Sequence, residues 1–219
     1  MIEKDISVIP YWDKLTNTQK KQVEEAVVIR KYVRNQMIYG AADACLGMIY
    51  VKKGGIRVYT TSQEGREVTF FHIEQGECCI LSASCVMGQV TIDVELVADE
   101  DTELLAVHSG LLEQLMEENI YVRSFAFEMS TKRLSSIVWV MQQILFLHFD
   151  ERLAGFLLSV YEKTGENAIK MTQEYIAQEV NSAREVVTRM LKQFAKENLI
   201  EINRGIITLK DIEGLRKLV

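Results

Sequence analysis

The sequence predicts an α+β chain in three parts: an N-terminal β sandwich or jelly roll, a long helix, and a C-terminal helix-turn-helix closed by a β hairpin. Three observations carry this prediction. Short apolar runs separated by Gly or charged residues recur between positions 37 and 107. Apolar residues at helical spacing run from about 122 to 147. Two short helical patterns then meet at a turn within 171–191, MTQEYIAQEVNSAREVVTRML. Short strands at regular intervals favour a sandwich or roll, whereas spacing by three and four favours helix. The expected divisions are a β domain with flanking helices over 1–121, the long helix over 122–148 and the helix-turn-helix domain over 149–219.

Taken in order, residues 15–30 read as one or two amphipathic helices. Strands are expected at 47–51, 55–60, 68–73, 90–97 and 102–107, with turns such as Gln63-Glu64-Gly65. Val58, Tyr59 and Thr60 are strong β formers. A small helix is expected at 110–118. In the long helix, Ile137, Val140, Met141, Ile144 and Leu147 fit a heptad-like seam. Such a seam pairs with a second copy or packs on the chain's own β domain. His148, Phe149 and Asp150 are read as a hinge before a helix over about 152–161, and Gly165 as its stop.

The C-terminal motif holds the most specific chemistry. Thr172 can cap the first helix, with Ile176, Ala177 and Val180 following at helical spacing. Asn181 suits a left-handed turn position. Ser182 with Glu185 three residues on has the form of a capping box, so the second helix is expected to start at Ser182. Val186, Met190 and Val187 are expected to face inward. Arg184, Glu185, Thr188, Arg189 and Lys192 share the other side, with Glu185 and Arg189 spaced as an i,i+4 ion pair. A helix presenting such residues is what enters a DNA major groove; the plainer alternative is a solvated surface helix. The segment Glu201-Ile202-Asn203-Arg204-Gly205-Ile206-Ile207-Thr208-Leu209 reads as a hairpin with Arg204 at its tip, placed to touch a phosphate.

Composition narrows the class. The net charge is −6, but from Lys170 onward nine Lys/Arg stand against seven Asp/Glu, a net of +2, leaving −8 on the rest. The cations needed for phosphate contacts therefore sit in the smaller part. A module so weakly basic gains affinity by binding as a dimer. No apolar run approaches 18 residues, and the N-terminus lacks the form of a signal peptide, so a cytoplasmic chain with no membrane association is expected. Four cysteines without extracellular context favour reduced thiols. No enzyme constellation stands out: His72, His108 and His148 lie far apart, and no Gly-rich phosphate loop is present.

These residues resemble a known family. Ser182-Ala183-Arg184-Glu185-Val186-Val187-Thr188-Arg189-Met190-Leu191 is similar to the Arg-Glu-x-x-x-Arg recognition helix of the CRP/FNR family of bacterial regulators. Asn198-Leu199-Ile200 and Ile207-Thr208-Leu209-Lys210-Asp211 resemble the way that family's domain closes. Lys53-Gly54-Gly55-Ile56-Arg57-Val58-Tyr59 and Glu64-Gly65-Arg66-Glu67-Val68 resemble the first hairpins of its cyclic-nucleotide-binding-like β-roll. The resemblance covers nearly the whole chain. It implies a homodimer paired through the long helix, a winged helix-turn-helix that binds double-stranded DNA, and RNA polymerase as a partner. The DNA contacts it implies are Thr172, Gln173, Ser182, Arg184, Glu185, Thr188, Arg189, Lys192 and Arg204, on half-sites with a G·C-bearing core like TGTGA. An alternative from another class is a signalling or small-ligand-binding module that no longer reads DNA.

The segment after Gly76-Glu77 departs from the cyclic-nucleotide-binding members. The position of their ribose-binding Glu falls at Leu81, and no arginine occurs between Arg66 and Arg123. Burying a phosphate without a cation is costly, so cyclic AMP is not expected. The segment carries Cys78, Cys79, Ser82, Ser84 and Cys85, which with Leu81 make up the expected effector pocket. A redox response, an unidentified small ligand and plain structural thiols all remain open. Adjacent cysteines on a strand point to opposite faces, and residues 1–44 hold no cysteine, so an iron–sulfur cluster is not expected. Haem is a remaining alternative, with His72 the nearest histidine. No metal site is expected.

Overall fold

The computed structural model describes residues 6–40, 46–80 and 94–219. Its contacts divide the chain into two compact units, residues 1–66 with 70–137 and residues 67–69 with 138–219. The division falls inside the long helix.

The first unit is built on two four-stranded sheets. One has the order β1 (Val28–Tyr32), β8 (Thr102–Val107), β3 (Met48–Lys53), β6 (Cys78–Cys79). The other has the order β2 (Met37–Tyr39), β7 (Glu95–Ala98), β4 (Ile56–Thr61), β5 (Glu67–Ile73). β8 spans the residues expected of it, and β3, β4 and β5 start one residue from their expected places. The period of two along each strand explains the packing. Ile49, Val51, Leu104, Ala106 and Cys79 enter one core with Ile56, Val58 and Leu96. Their alternates Met48, Leu105, Val107 and Cys78 enter a second core with Ile6, Trp12, Val23, Leu112 and Leu115. The sheet holding β3 and β8 is thus covered on both faces, which is why those strands read as nearly continuous apolar runs.

Around this sheet lie α1 (Asn17–Ala26) and α2 (Ser109–Glu118). Thr16 caps α1 through a capping box with Gln19. The helix expected over 15–30 ends earlier than foreseen. Val28–Tyr32 is instead an edge strand paired antiparallel with β8. Its β-branched start, Val27-Val28-Ile29, favours the extended form. The first half of the expected strand 90–97 lies outside the described residues.

The long helix α3 runs Ile120–Phe146. Val122, Ala126, Arg133, Ile137 and Val140 are buried along one row, and Ile137 joins the sandwich core. The opposite row, Ile120, Ser124, Phe127, Thr131, Leu134, Val138, Met141 and Leu145, is exposed throughout. Of the residues expected in the seam, Ile137 and Val140 are 8% and 6% exposed within the single chain. Ile144 and Leu147 are half-buried, and only Met141 stands free.

The second unit contains α4 (Phe149–Thr164), α5 (Gln173–Glu179), α6 (Arg184–Lys196), α7 (Ile212–Arg216) and a three-stranded sheet. That sheet has the order β10 (Ile200–Asn203), β11 (Ile206–Leu209), β9 (Ala168–Ile169). Phe149 and Asp150, expected in a hinge, form the first turn of α4, where the Glu151 carboxylate accepts from the His148 N–H at 2.8 Å. Gly165 ends α4 in the left-handed conformation, φ 72°. Leu153, Leu157, Ile176, Val187, Leu191, Phe194, Ile207 and Leu215 close a single core. Each fully buried side chain of this kind contributes about 1.5–3 kcal/mol. No described helix is long and apolar enough to cross a membrane.

Candidate nucleic-acid interface

Local chemistry sets the turn between α5 and α6. Thr172 caps α5, its hydroxyl accepting from the Tyr175 N–H at 3.1 Å. Ala177 is buried at the crossing and its small side chain permits close approach. Asn181 takes φ 52°, the left-handed position expected of it. The Ser182 N–H then donates to the Ala177 carbonyl at 2.9 Å, closing the turn.

Ser182 does not cap α6. The helix begins at Arg184 with Ala183 as its N-cap and no side-chain cap. The turn uses one more residue than the Ser-x-x-Glu spacing implies, which puts Ala183, without a capping oxygen, at the N-cap. The inward row is also shifted. Val187, Leu191 and Phe194 are buried, whereas Val186 and Met190 are only half-buried.

That register turns a polar row outward. Arg184, Glu185, Thr188, Arg189 and Lys192, five of the residues expected to meet DNA, line one open concavity of about 980 Å³ together with Gln193 and Lys196. The last two were missed by the sequence reading, although they continue the i,i+4 row from Arg189 and Lys192. The face carries four cations and one carboxylate. The expected Glu185–Arg189 pair is not formed among the described residues, so both side chains stand free. Arg184 Nε lies 4.0 Å from Glu174, and both groups are well exposed, a pairing of small worth.

Thr188 Oγ1 lies 2.5 Å from Gln173 Oε1 and 2.8 Å from the Arg184 carbonyl. One hydroxyl proton cannot serve both acceptors. Both contacts are satisfied when the Gln173 amide turns its NH2 toward Thr188, which locks the first helix to the second. Thr172 and Gln173 therefore spend part of their polar capacity inside the motif. Arg204 sits apart, exposed at the β10–β11 turn that Gly205 makes with φ 75°.

In the first unit, Cys78 and Cys79 lie on β6 and point into different cores, as adjacent strand residues must. Burial, with the neighbouring Cys79 adding to it, pushes the Cys78 thiol up to about 12. A thiol so raised carries little thiolate at neutral pH. Leu81, Ser82, Ser84 and Cys85 lie outside the described residues. One group was missed entirely. Arg133 of α3 is 3% exposed and donates through Nη2 to the Cys78 carbonyl at 2.9 Å. The absence of an arginine between 66 and 123 thus does not leave this region without a cation.

Comparison with known proteins agrees with these parts. Residues 29–119 match the cyclic nucleotide-binding domain and residues 151–218 the Crp-like helix-turn-helix domain. The solved structure of a transcriptional regulator of the crp/fnr family from Eubacterium rectale is 34% identical, with a TM-score of 0.89, over 97% of this chain and 98% of that one. The chain belongs to the CRP/FNR family. It is a DNA-binding transcription regulator of that type and not an enzyme. Two further relatives are more distant. The transcriptional regulatory protein btr of Bordetella pertussis is 22% identical over 91% of this chain and 84% of its own length. The anaerobic regulatory protein of Haemophilus influenzae is 22% identical over 93% and 81%.

Proposed function

We propose that the chain acts in the cytoplasm as a homodimer that reads a dyad-symmetric DNA site with α6 and answers to a small effector held by the β-roll. The observation that carries the reading is the outward row of α6, where Arg189 and Glu185 stand unpaired, and Arg184 makes only an exposed 4.0 Å contact with Glu174, beside two lysines. Arg184 and Arg189 offer the planar fork that matches guanine O6 and N7, and Glu185 can accept from a cytosine amino group. Lys192, Lys196 and Arg204 are assigned to phosphates. Thr172, Gln173, Ser182 and Thr188 position the motif and lie at the edge of the same contact. RNA polymerase is the further partner that family membership implies.

The dimer is assigned to the exposed row of α3. Positions 120, 124, 127, 131, 134, 138, 141 and 145 alternate steps of four and three, the spacing of a coiled-coil seam. Phe127, Leu134, Val138, Met141 and Leu145 supply apolar surface that a second copy would cover.

Cyclic AMP bound through a phosphate cassette is not the proposed effector, because residues 76–91 contain no arginine. Redox control through Cys78 is disfavoured by its burial and raised pKa. The test is selection from randomised duplex DNA with the full chain. Enrichment of two half-sites about 10–10.5 bp apart, or a multiple of that, is the expected result. A pool that stays random, or a single half-site without dyad, would overturn the proposal.

A further inference from the structure

Arg133 is a charge buried without its full complement of partners. Nη2 donates to the Cys78 carbonyl at 2.9 Å and reaches Glu77 Oε2 only at 3.5 Å. That carboxylate is held more closely by others: Lys132 Nζ at 2.9 Å and the Glu74 N–H at 3.2 Å. Arg133 Nε is buried with no hydrogen-bond partner. The guanidinium lies over the Phe71 ring, 4.6 Å from its centroid, which fixes the plane of the fork. A buried guanidinium with an unused donor costs free energy until a further acceptor completes it, and a carboxylate oxygen is the acceptor that also strengthens a charge paired only at 3.5 Å.

We propose that Arg133 is the anchor of a binding site for a small monocarboxylate, taken on the Nε side of the guanidinium. This rests on the reading of the β-roll as an effector domain and names the chemistry of that effector. The planar fork fits a planar carboxylate with two parallel hydrogen bonds. Lys132, Arg133 and Glu77 together carry one surplus positive charge, which a monocarboxylate neutralises and a phosphate dianion would exceed. The Phe71 ring beside the fork favours an organic acid with a short apolar part over an inorganic anion. Because Arg133 sits on α3, the ligand would bear on the helix assigned to the dimer seam.

The test is calorimetric titration of the full-length protein, without DNA, with sodium propionate, sodium acetate, inorganic phosphate and chloride. Propionate binds, acetate binds more weakly, and phosphate and chloride do not. Arg133→Gln abolishes the binding and Arg133→Lys, which keeps the charge but loses the fork, weakens it. Glu77→Gln removes the competing carboxylate and tightens propionate roughly tenfold. That gain separates a ligand site from a purely structural tie, and it stands even where Arg133→Gln fails to fold. Absence of propionate binding in both wild type and Glu77→Gln would overturn the proposal, as would binding unchanged in Arg133→Gln or equal binding of phosphate. A second titration, of duplex DNA into the protein with and without propionate, reads the coupling: propionate binding that leaves DNA affinity unaltered would sink effector control while leaving the site intact.

Discussion

At the scale of single residues, the outward row of α6 divides, under the proposed function, into groups that distinguish bases and groups that hold phosphates. Arg189→Ala should cost about 1–3 kcal/mol on the preferred site and relax discrimination at one base pair. Lys192→Ala should weaken all sequences alike. Binding selection with both variants checks this, and a Lys192→Ala protein with an altered preference would reverse the roles. Glu77 gives a second residue-scale test. Its burial raises the carboxyl pKa, but the Lys132 hydrogen bond, the Glu74 N–H and the charges of Arg133 and Lys132 outweigh this and lower it. A depressed pKa contributes stability above the ordinary carboxylate value, lost as pH falls through the native one. Glu77→Gln should therefore flatten the acid limb of thermal stability between those two values, and an unchanged limb would contradict the assigned contacts. Reading single residues from sequence worked where chemistry is local and failed where it is not. Asn181 and Thr172 declare themselves by conformation and capping. Arg133 could not be linked to Glu77 and Cys78, because more than fifty residues separate them and only the packing of α3 on the roll joins them.

At the scale of elements, α3 has one row buried and the opposite row exposed. Leu134 and Met141 are 55% and 52% exposed in the single chain, whereas Ile137 is 8% exposed and sits in the sandwich core. The double substitution Leu134→Asp with Met141→Asp should give folded monomers, read by sedimentation with the far-ultraviolet spectrum retained. Ile137→Asp should instead lower the stability of the protomer itself. Losing a buried Ile costs about 2–5 kcal/mol, and an unpaired buried carboxylate adds to that. A Leu134/Met141 variant that still sediments as a dimer would show that another surface makes the contact. The heptad spacing was legible in the sequence, but which row the single chain leaves exposed was not. Two apolar rows interleave on this helix, and periodicity alone does not say which one the chain's own core consumes. The strands followed the same logic. β8, buried on both sides, stands out as an apolar run, while the exposed edge strand Val28–Tyr32 and the two-residue β6 have no pattern to find. In α6 a capping pattern was mistaken for a start, because Ser182 has the right residue type one step too early for the turn that forms.

At the scale of the whole molecule, charge distribution decides how an acidic protein holds DNA. The chain carries −6, with +2 from Lys170 onward and −8 before it. Such a distribution predicts weak non-specific attraction confined to the C-terminal part, and under the proposed dimer the affinity comes from two copies engaging one duplex. Each phosphate neutralised by a side chain adds about −0.9 to the slope of log K against log salt. Lys196→Ala removes one such contact per protomer, so a dimer should lose roughly 1.8 from the magnitude of its slope, at any sequence. The monomeric Leu134→Asp/Met141→Asp variant should keep the α6 contacts but lose about half the slope, along with the preference for a dyad. Fluorescence anisotropy on one labelled duplex across a salt series measures both. Should Lys196→Ala leave the slope unchanged, that residue does not reach a phosphate. Should the monomeric variant keep the full slope, the affinity does not come from paired half-sites, and the link drawn between the acidic composition and dimerisation is wrong.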